Sequence, residues 1–212
     1  MRSTYRWTIA ALVAAGVTLV GTLPVRADGP IHLNLESDLT WMEFVGQVVN
    51  PTPATSNQFG YLTYLRGVDQ LFSGPDQGAN TARFTFFNET NTVSVLNHGP
   101  LRIITREGTT TIYLSGGADF ANPDSFRAGT PLQTSQLRHV VVLNTTDNSF
   151  TTIFENVITS VSGVHVVDGV IQFGRVGQMF RTTVLGQIVA PIPPNGWIAG
   201  FAVGVVHPSE SN

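Results

Sequence analysis

The chain contains no cysteine and, reading along its 212 residues, no lysine: every basic residue is arginine. Without cysteine there is no disulfide framework, so the fold must rest on packing, which suits a bacterial exported protein better than the disulfide-rich secretory pathway of eukaryotes. Charge is also scarce. Charged residues make up 12% of the chain, against about a quarter in an ordinary soluble domain, while hydrophobic residues reach 42%. The formal net charge is −3, and a mildly acidic body argues against nucleic acid or an anionic membrane surface as partner, since both need clustered positive charge. A surface this poor in charge is expected to be covered, and sister subunits in a homo-oligomer would cover it. There is no Gly-x-Ser-x-Gly nucleophile elbow, no P-loop and no strand-to-helix dinucleotide fingerprint, which sets aside ordinary serine hydrolase and nucleotide chemistry.

The beginning of the chain has its own pattern. Arg2 and Arg6 precede an uncharged, largely apolar stretch from Trp7 to Leu23, followed by Pro24, Val25, Arg26 and Ala27. A positive end, an apolar middle and a Val-x-Ala tripeptide form a secretory signal peptide with cleavage after Ala27. The domain expectation is therefore a signal peptide over 1–27 and a single domain over 28–212, secreted or periplasmic. An uncleaved anchor is the rival reading. The stretch is short for the ~20 strongly apolar residues that a span needs, and Thr8, Gly16, Thr18 and Gly21 dilute it. No comparable apolar run follows, so no membrane span is expected after cleavage.

From Ile31 onward, short β-branched and aromatic runs alternate with Gly, Pro, Asn and Asp, the signature of antiparallel strands and tight turns. Strands are expected near 31–36, 42–49, 58–66, 81–88, 91–97, 100–106, 109–114, 137–145, 149–158, 170–174, 180–190 and 197–206. No stretch has helical periodicity, so any helix should be a single turn in a loop. Glu107-Gly108, Asp168-Gly169 and Asn195-Gly196 are expected to be hairpin turns, where glycine supplies the positive φ. Gly67 to Asn80 and Ser115 to Gln136 read as long loops, which on a β scaffold often line the mouth of a site. Val140 to Leu143, Phe84 to Phe87 and Leu101 to Ile104 are apolar on both faces, whereas a half-exposed strand would alternate. A closed barrel that oligomerises meets both demands and removes sheet edges; a two-sheet sandwich is the alternative.

Several segments resemble a group of exported bacterial proteins related to the allene oxide cyclase-like and dirigent-like β-barrels. These are Phe44-Val45-Gly46-Gln47-Val48-Val49-Asn50, the run from Phe59 to Gly67, Ala82-Arg83-Phe84-Thr85-Phe86, Asn122-Pro123-Asp124-Ser125-Phe126-Arg127 and Gly129-Thr130-Pro131. The resemblance implies an antiparallel barrel of roughly eight strands with an apolar lumen, often dimeric or trimeric. It also implies a small hydrophobic or phenolic molecule held inside, with an isomerase or cyclase activity exerted mostly by fixing the reactant's shape. The likeness is one of strands and turns and carries over no active-site residue.

Candidate chemistry must then come from the residues themselves. The five histidines, His32, His98, His139, His165 and His207, show no metal-binding spacing. His139, on a very apolar strand, is the candidate acid or base if it faces a lumen. Glu43 and Glu155 sit in apolar strands and are candidate proton donors, since a carboxylate in a dry lumen would be raised in pKa. The competing reading pairs them with Arg83, Arg102, Arg138 and Arg181 in a structural ion-pair network. Arg83, Arg102 and Arg138 are equally the ligand-binding candidates, because an arginine in a barrel can hold a carboxylate or enolate. Trp41, Tyr61, Tyr64, Phe72, Phe120 and Trp197 can line an apolar pocket or stack on a sugar, with Tyr61 and Tyr64 the candidates for ligand contact. The loop 116–126 offers oxygen ligands for calcium but has no EF-hand spacing, so no metal and no cofactor is expected. Beside the barrel with a lumen ligand stand two other function classes: an envelope or adhesion module working through apolar outer faces, and a carbohydrate-binding sandwich.

Overall fold

The runs expected to be strands form ten strands, and alternating burial is clearest along β5, β6, β9 and β10. A computed structural model describes residues 40–166, 169–189 and 195–203. The expected signal peptide, the strand expected at 31–36, His32, His207 and Asp168 lie outside the described residues. The strands are β1 (Thr40–Thr52), β2 (Thr55–Leu65), β3 (Phe84–His98), β4 (Leu101–Leu114), β5 (Thr130–Asn144), β6 (Ser149–Val161), β7 (Gly163–Val166), β8 (Gly169–Gln172), β9 (Met179–Ile188) and β10 (Gly196–Val203). Eight of them close into one antiparallel barrel in the order β1-β10-β9-β6-β5-β4-β3-β2, while β7 and β8 form a separate hairpin. Each barrel strand lies beside its neighbour in the chain and the last beside the first, so no sheet edge is left free. The closed single sheet excludes the two-sheet sandwich. Helix among the described residues is confined to two short 3-10 turns, Ala79–Thr81 and Pro123–Arg127, both in loops.

Two expected turns prove to be something else. Glu107-Gly108 lies in the middle of β4, where Gly108 faces Thr90 on β3 and Leu137 on β5. A Cβ on Gly108 would overlap the backbone oxygen of Glu89, so glycine is there for close strand approach and not for a reversal. Expected strands 81–88 and 91–97 accordingly merge into β3, and 100–106 and 109–114 into β4. The actual reversal between them is at Gly99, whose φ of 57° is left-handed, with His98 paired to Leu101. Asn195-Gly196 likewise opens β10 instead of turning it, because Gly196 pairs with Ile188 and leaves a longer connection between. Asn195 is tied in place at that end: its N–H donates to Val48 O at 2.8 Å, and its Oδ1 accepts the Asn50 N–H at 2.7 Å. For Asp168-Gly169, β7 and β8 do pair with Val166 opposite Gly169, and the residues of the turn itself fall outside those described.

The connections make the two ends of the barrel unlike. Short connections β1–β2, β3–β4 and β5–β6 lie at one end, together with the β9–β10 connection. The opposite end carries the loops after β2 and β4 and the β7–β8 hairpin. At this loop end the lumen is filled. Trp41 and Phe180 meet edge to face with centroids 4.6 Å apart, Phe84 packs on Phe173 at 5.8 Å, and Leu65, Val68, Leu71 and Val164 complete the plug. Each fully buried side chain of this size contributes roughly 1.5–3 kcal/mol.

A second apolar cluster lies outside the barrel. Phe59 on β2 and Phe87 on β3 point outward and are covered by Phe126 and Phe120 from the loop after β4. Thr85 donates its hydroxyl to the Phe126 carbonyl oxygen at 2.8 Å, anchoring the loop to the wall. The doubly apolar run Phe84 to Phe87 is thus explained within the chain: Phe84 and Phe86 fill the lumen, and Phe87 fills the loop's underside. Among the described residues no such cover lies over β5, β6, β9 and β10, where Val142, Ile153, Leu185 and Phe201 are exposed.

Candidate functional site

The lumen stays open at the short-turn end, as a cavity of about 250 Å³. Strand alternation determines its lining. On β4 the inward positions are Arg102, Ile104 and Arg106; on β5 they are His139, Val141 and Leu143; on β6 they are Phe150, Thr152 and Phe154. Val184 and Ile188 on β9, Ile198 on β10 and Val48 on β1 complete an apolar wall, with Gln58 the contribution of β2. The cavity is blind, since the plug lies below it. Contrary to expectation, neither long loop reaches this mouth, because both are attached at the other end of the strands.

The charged and titratable groups are concentrated on one wall, while Asn50, Thr52, Gln58, Thr152 and Asn195 add neutral polar groups elsewhere in the lining. Arg106 stands directly across from His139 in the β4–β5 register, and across from Thr92 on β3, whose hydroxyl oxygen accepts from Arg106 Nε at 3.3 Å. Arg102, two inward positions along the same strand, sits nearer the rim and is exposed. Burial, and then the neighbouring Arg102, hold the Arg106 guanidinium below its ordinary pKa. His139 is 2% exposed and stacks on Phe154 with centroids 4.9 Å apart. Burial, reinforced by Arg106, pushes its pKa down from 6.5 to about 3. Neither ring nitrogen has a hydrogen-bond partner among the described residues. The ring is therefore a neutral imidazole with one donor and one acceptor on offer. A group so easily deprotonated is a weak general base at neutral pH.

Deeper in the lumen a polar belt separates cavity from plug. Asn88, Thr110, Asn156 and Thr182 face one another around a void of about 20 Å³, and Asn88 Oδ1, Thr110 Oγ1 and Asn156 Oδ1 are buried without partners within the protein.

The other expected site residues are elsewhere. Glu155 faces outward, where it bridges Arg181 at 3.0 Å and Arg138 at 3.5 Å across three adjacent strands. The competing ion-pair reading thus accounts for Glu155, Arg138 and Arg181. Glu43 is exposed on the outer face of β1, opposite Phe201 and Tyr64. Both carboxylates are displaced from the lumen by register: their strand neighbours Phe44, Phe154 and Asn156 are the inward ones. Arg83 precedes β3 at the loop end, its N–H donating to Leu71 O at 2.9 Å, far from the mouth. Tyr61 packs outside against Phe72 and Phe120, with centroids 6.0 and 6.3 Å away. Phe120 in turn meets Trp197, so these aromatics pack on one another and form no planar row for a sugar. In the loop 116–126, Asp119 accepts the Ala121 N–H and Asp124 pairs with Arg127. Of the expected residues, only Arg102 and His139 meet in the cavity. Arg106 was missed; its signal was the inward alternation Arg102, Ile104, Arg106, obscured by reading Gly108 as a turn.

Neither a protein-family model, nor a curated protein, nor a solved structure matches the chain. The functional reading rests on the barrel and its lumen. Among the described residues no helix is long and apolar enough to cross a membrane, and no group of three or more metal-ligating side chains is gathered together.

Proposed function

We propose that the barrel holds a small hydrophobic or phenolic molecule in its lumen, as an exported bacterial carrier or as an isomerase or cyclase of the allene oxide cyclase-like or dirigent-like kind. The observation that carries this reading is the blind cavity inside a closed barrel, walled by Val141, Leu143, Phe150, Val184, Ile188 and Ile198. Its volume lies beside the lower end of the ~300–1,000 Å³ range of small-molecule pockets. Between the two versions, the geometry favours a carrier, or catalysis by confinement alone: among the described residues no carboxylate lines the cavity, and His139 is a poor base. Native mass spectrometry of the chain purified from an exporting host tests the reading. A lipid-like or phenolic passenger ejected on activation supports it; a chain that comes out empty and takes up no apolar probe refutes it.

A second reading concerns the outer face. Val142, Ile153, Leu185, Phe201 and Val203 are exposed on consecutive strands, the arrangement expected where barrels associate as a homo-oligomer or as an envelope module. The same spectra report subunit number, and a monomer at micromolar concentration would count against it.

A further inference from the structure

We infer that the lumen's ligand is an anion with an apolar body, its carboxylate held by Arg102 and Arg106 with His139 beside them; this rests on the lumen-binding reading above. Three observations converge on it. First, Arg127, Arg138 and Arg181 on the outside of the barrel each hold a carboxylate, from Glu89 and Asp124 or from Glu155. Arg102 and Arg106 hold none among the described residues, although they are the arginines facing a confined apolar space. Two like charges on one strand face, one of them half-buried, are mutually destabilising unless a counter-charge arrives. A carboxylate is the group whose geometry a guanidinium fork matches best.

Second, the polar wall is complete in the sense a ligand would need. Thr92 occupies Nε of Arg106, which leaves the terminal N–H groups of the fork for something else. Directly opposite, His139 lines the same cavity, and its buried ring nitrogens have no partner among the described residues. Third, the cavity is two-sided. Charge sits on β4, with the neutral ring of His139 beside it on β5, while β6, β9 and β10 present mainly Phe150, Val184, Ile188 and Ile198. A neutral hydrocarbon would leave the arginines uncompensated, and a strongly polar anion would leave that apolar wall wetted. An aliphatic or aryl carboxylate satisfies both.

The test is calorimetric titration of the intact chain, freed of copurifying lipid, with octanoate and with 1-octanol, which share a tail and differ in charge. Octanoate should bind at least about tenfold more tightly than 1-octanol, as expected of one charge-assisted contact. Arg106→Met keeps the side chain's length and should reduce octanoate affinity about tenfold, with 1-octanol changed by less than about twofold. Arg102→Met, at the rim, provides the same comparison if the deeper replacement disturbs folding, and raised ionic strength should weaken octanoate alone. Equal affinities for the two probes in the unaltered chain, or an octanoate affinity that survives both replacements, would overturn the anion site while leaving an apolar lumen. If neither probe binds, the lumen reading falls with it.

Discussion

Acid should loosen the barrel through His139 before its surface carboxylates protonate in bulk. The imidazole is held near pKa 3 by burial and by Arg106, against 6.5 when free, so the fold keeps it neutral. Above pH 6.5 it is neutral in both states and contributes no pH dependence. As pH falls below that value the unfolded chain takes up a proton that the folded chain refuses, and stability drops by about 1.4 kcal/mol per pH unit. Between pH 6.5 and about pH 4 this amounts to about 3 kcal/mol, a large share of the ~5–15 kcal/mol that holds a typical domain. Among the described residues the groups facing the ring are Arg106 from β4 and Phe154 from β6, and no carboxylate is among them to stabilise the imidazolium. Urea unfolding followed by circular dichroism at several pH values gives the slope, and His139→Leu, an apolar replacement in the same wall, gives the control. The unaltered chain should lose midpoint steadily through this window while His139→Leu stays nearly flat until the carboxylates begin to titrate. Parallel curves would refute the reasoning, because the buried ring would then be titrating as freely as an exposed one.

Other substitutions separate the roles of lumen, loop and outer surface. Phe126→Ala removes a fully buried ring from the cluster beneath the loop after β4 and should cost about 3–5 kcal/mol in urea unfolding, with lumen binding retained once the chain is folded. Gly108→Ala places a methyl against the Glu89 carbonyl and should destabilise by about 1–3 kcal/mol; an unchanged midpoint would mean that β3 and β4 do not approach as described. Glu155→Gln breaks an exposed bridge to two arginines and should cost no more than about 1 kcal/mol. Neither it nor Glu43→Gln should alter titration with octanoate, since both carboxylates lie outside the barrel; a loss of binding in either would displace the site from the lumen.

The strands were legible in the sequence because β-branched and aromatic runs carry their own signal, and nine of the ten strands, β7 being the exception, overlap expected ones. What misled was glycine. At Gly108 the residue marks close approach of two strands and at Gly99 a reversal, and a sequence shows the same letter for both. That ambiguity propagated to the site. Reading Glu107-Gly108 as a hairpin set Arg106 at a strand end beside a turn, and so concealed that it continues the inward row of Arg102 and Ile104 and lies across from His139. The carboxylates were misplaced for a related reason: Glu155 has apolar residues two positions to either side, Ile153 and Val157, but those positions share its outward face, and only register shows that Phe154 and Asn156 are the inward pair. The long loops were recognisable as loops, but which end of the barrel they close depends on strand direction, a property of the assembled sheet.

The site's charge is fixed in a way that its composition makes unavoidable. With no lysine in the chain, any inward cation must be arginine or histidine, and arginine does not release its proton at accessible pH. His139 is kept neutral by the guanidinium across from it and by burial, so the wall remains two positive charges and one neutral donor through the physiological range. A carboxylate held there would be released by its own protonation and not by any change in the wall. Acid that neutralised the ligand would also be acid that strains the fold at His139.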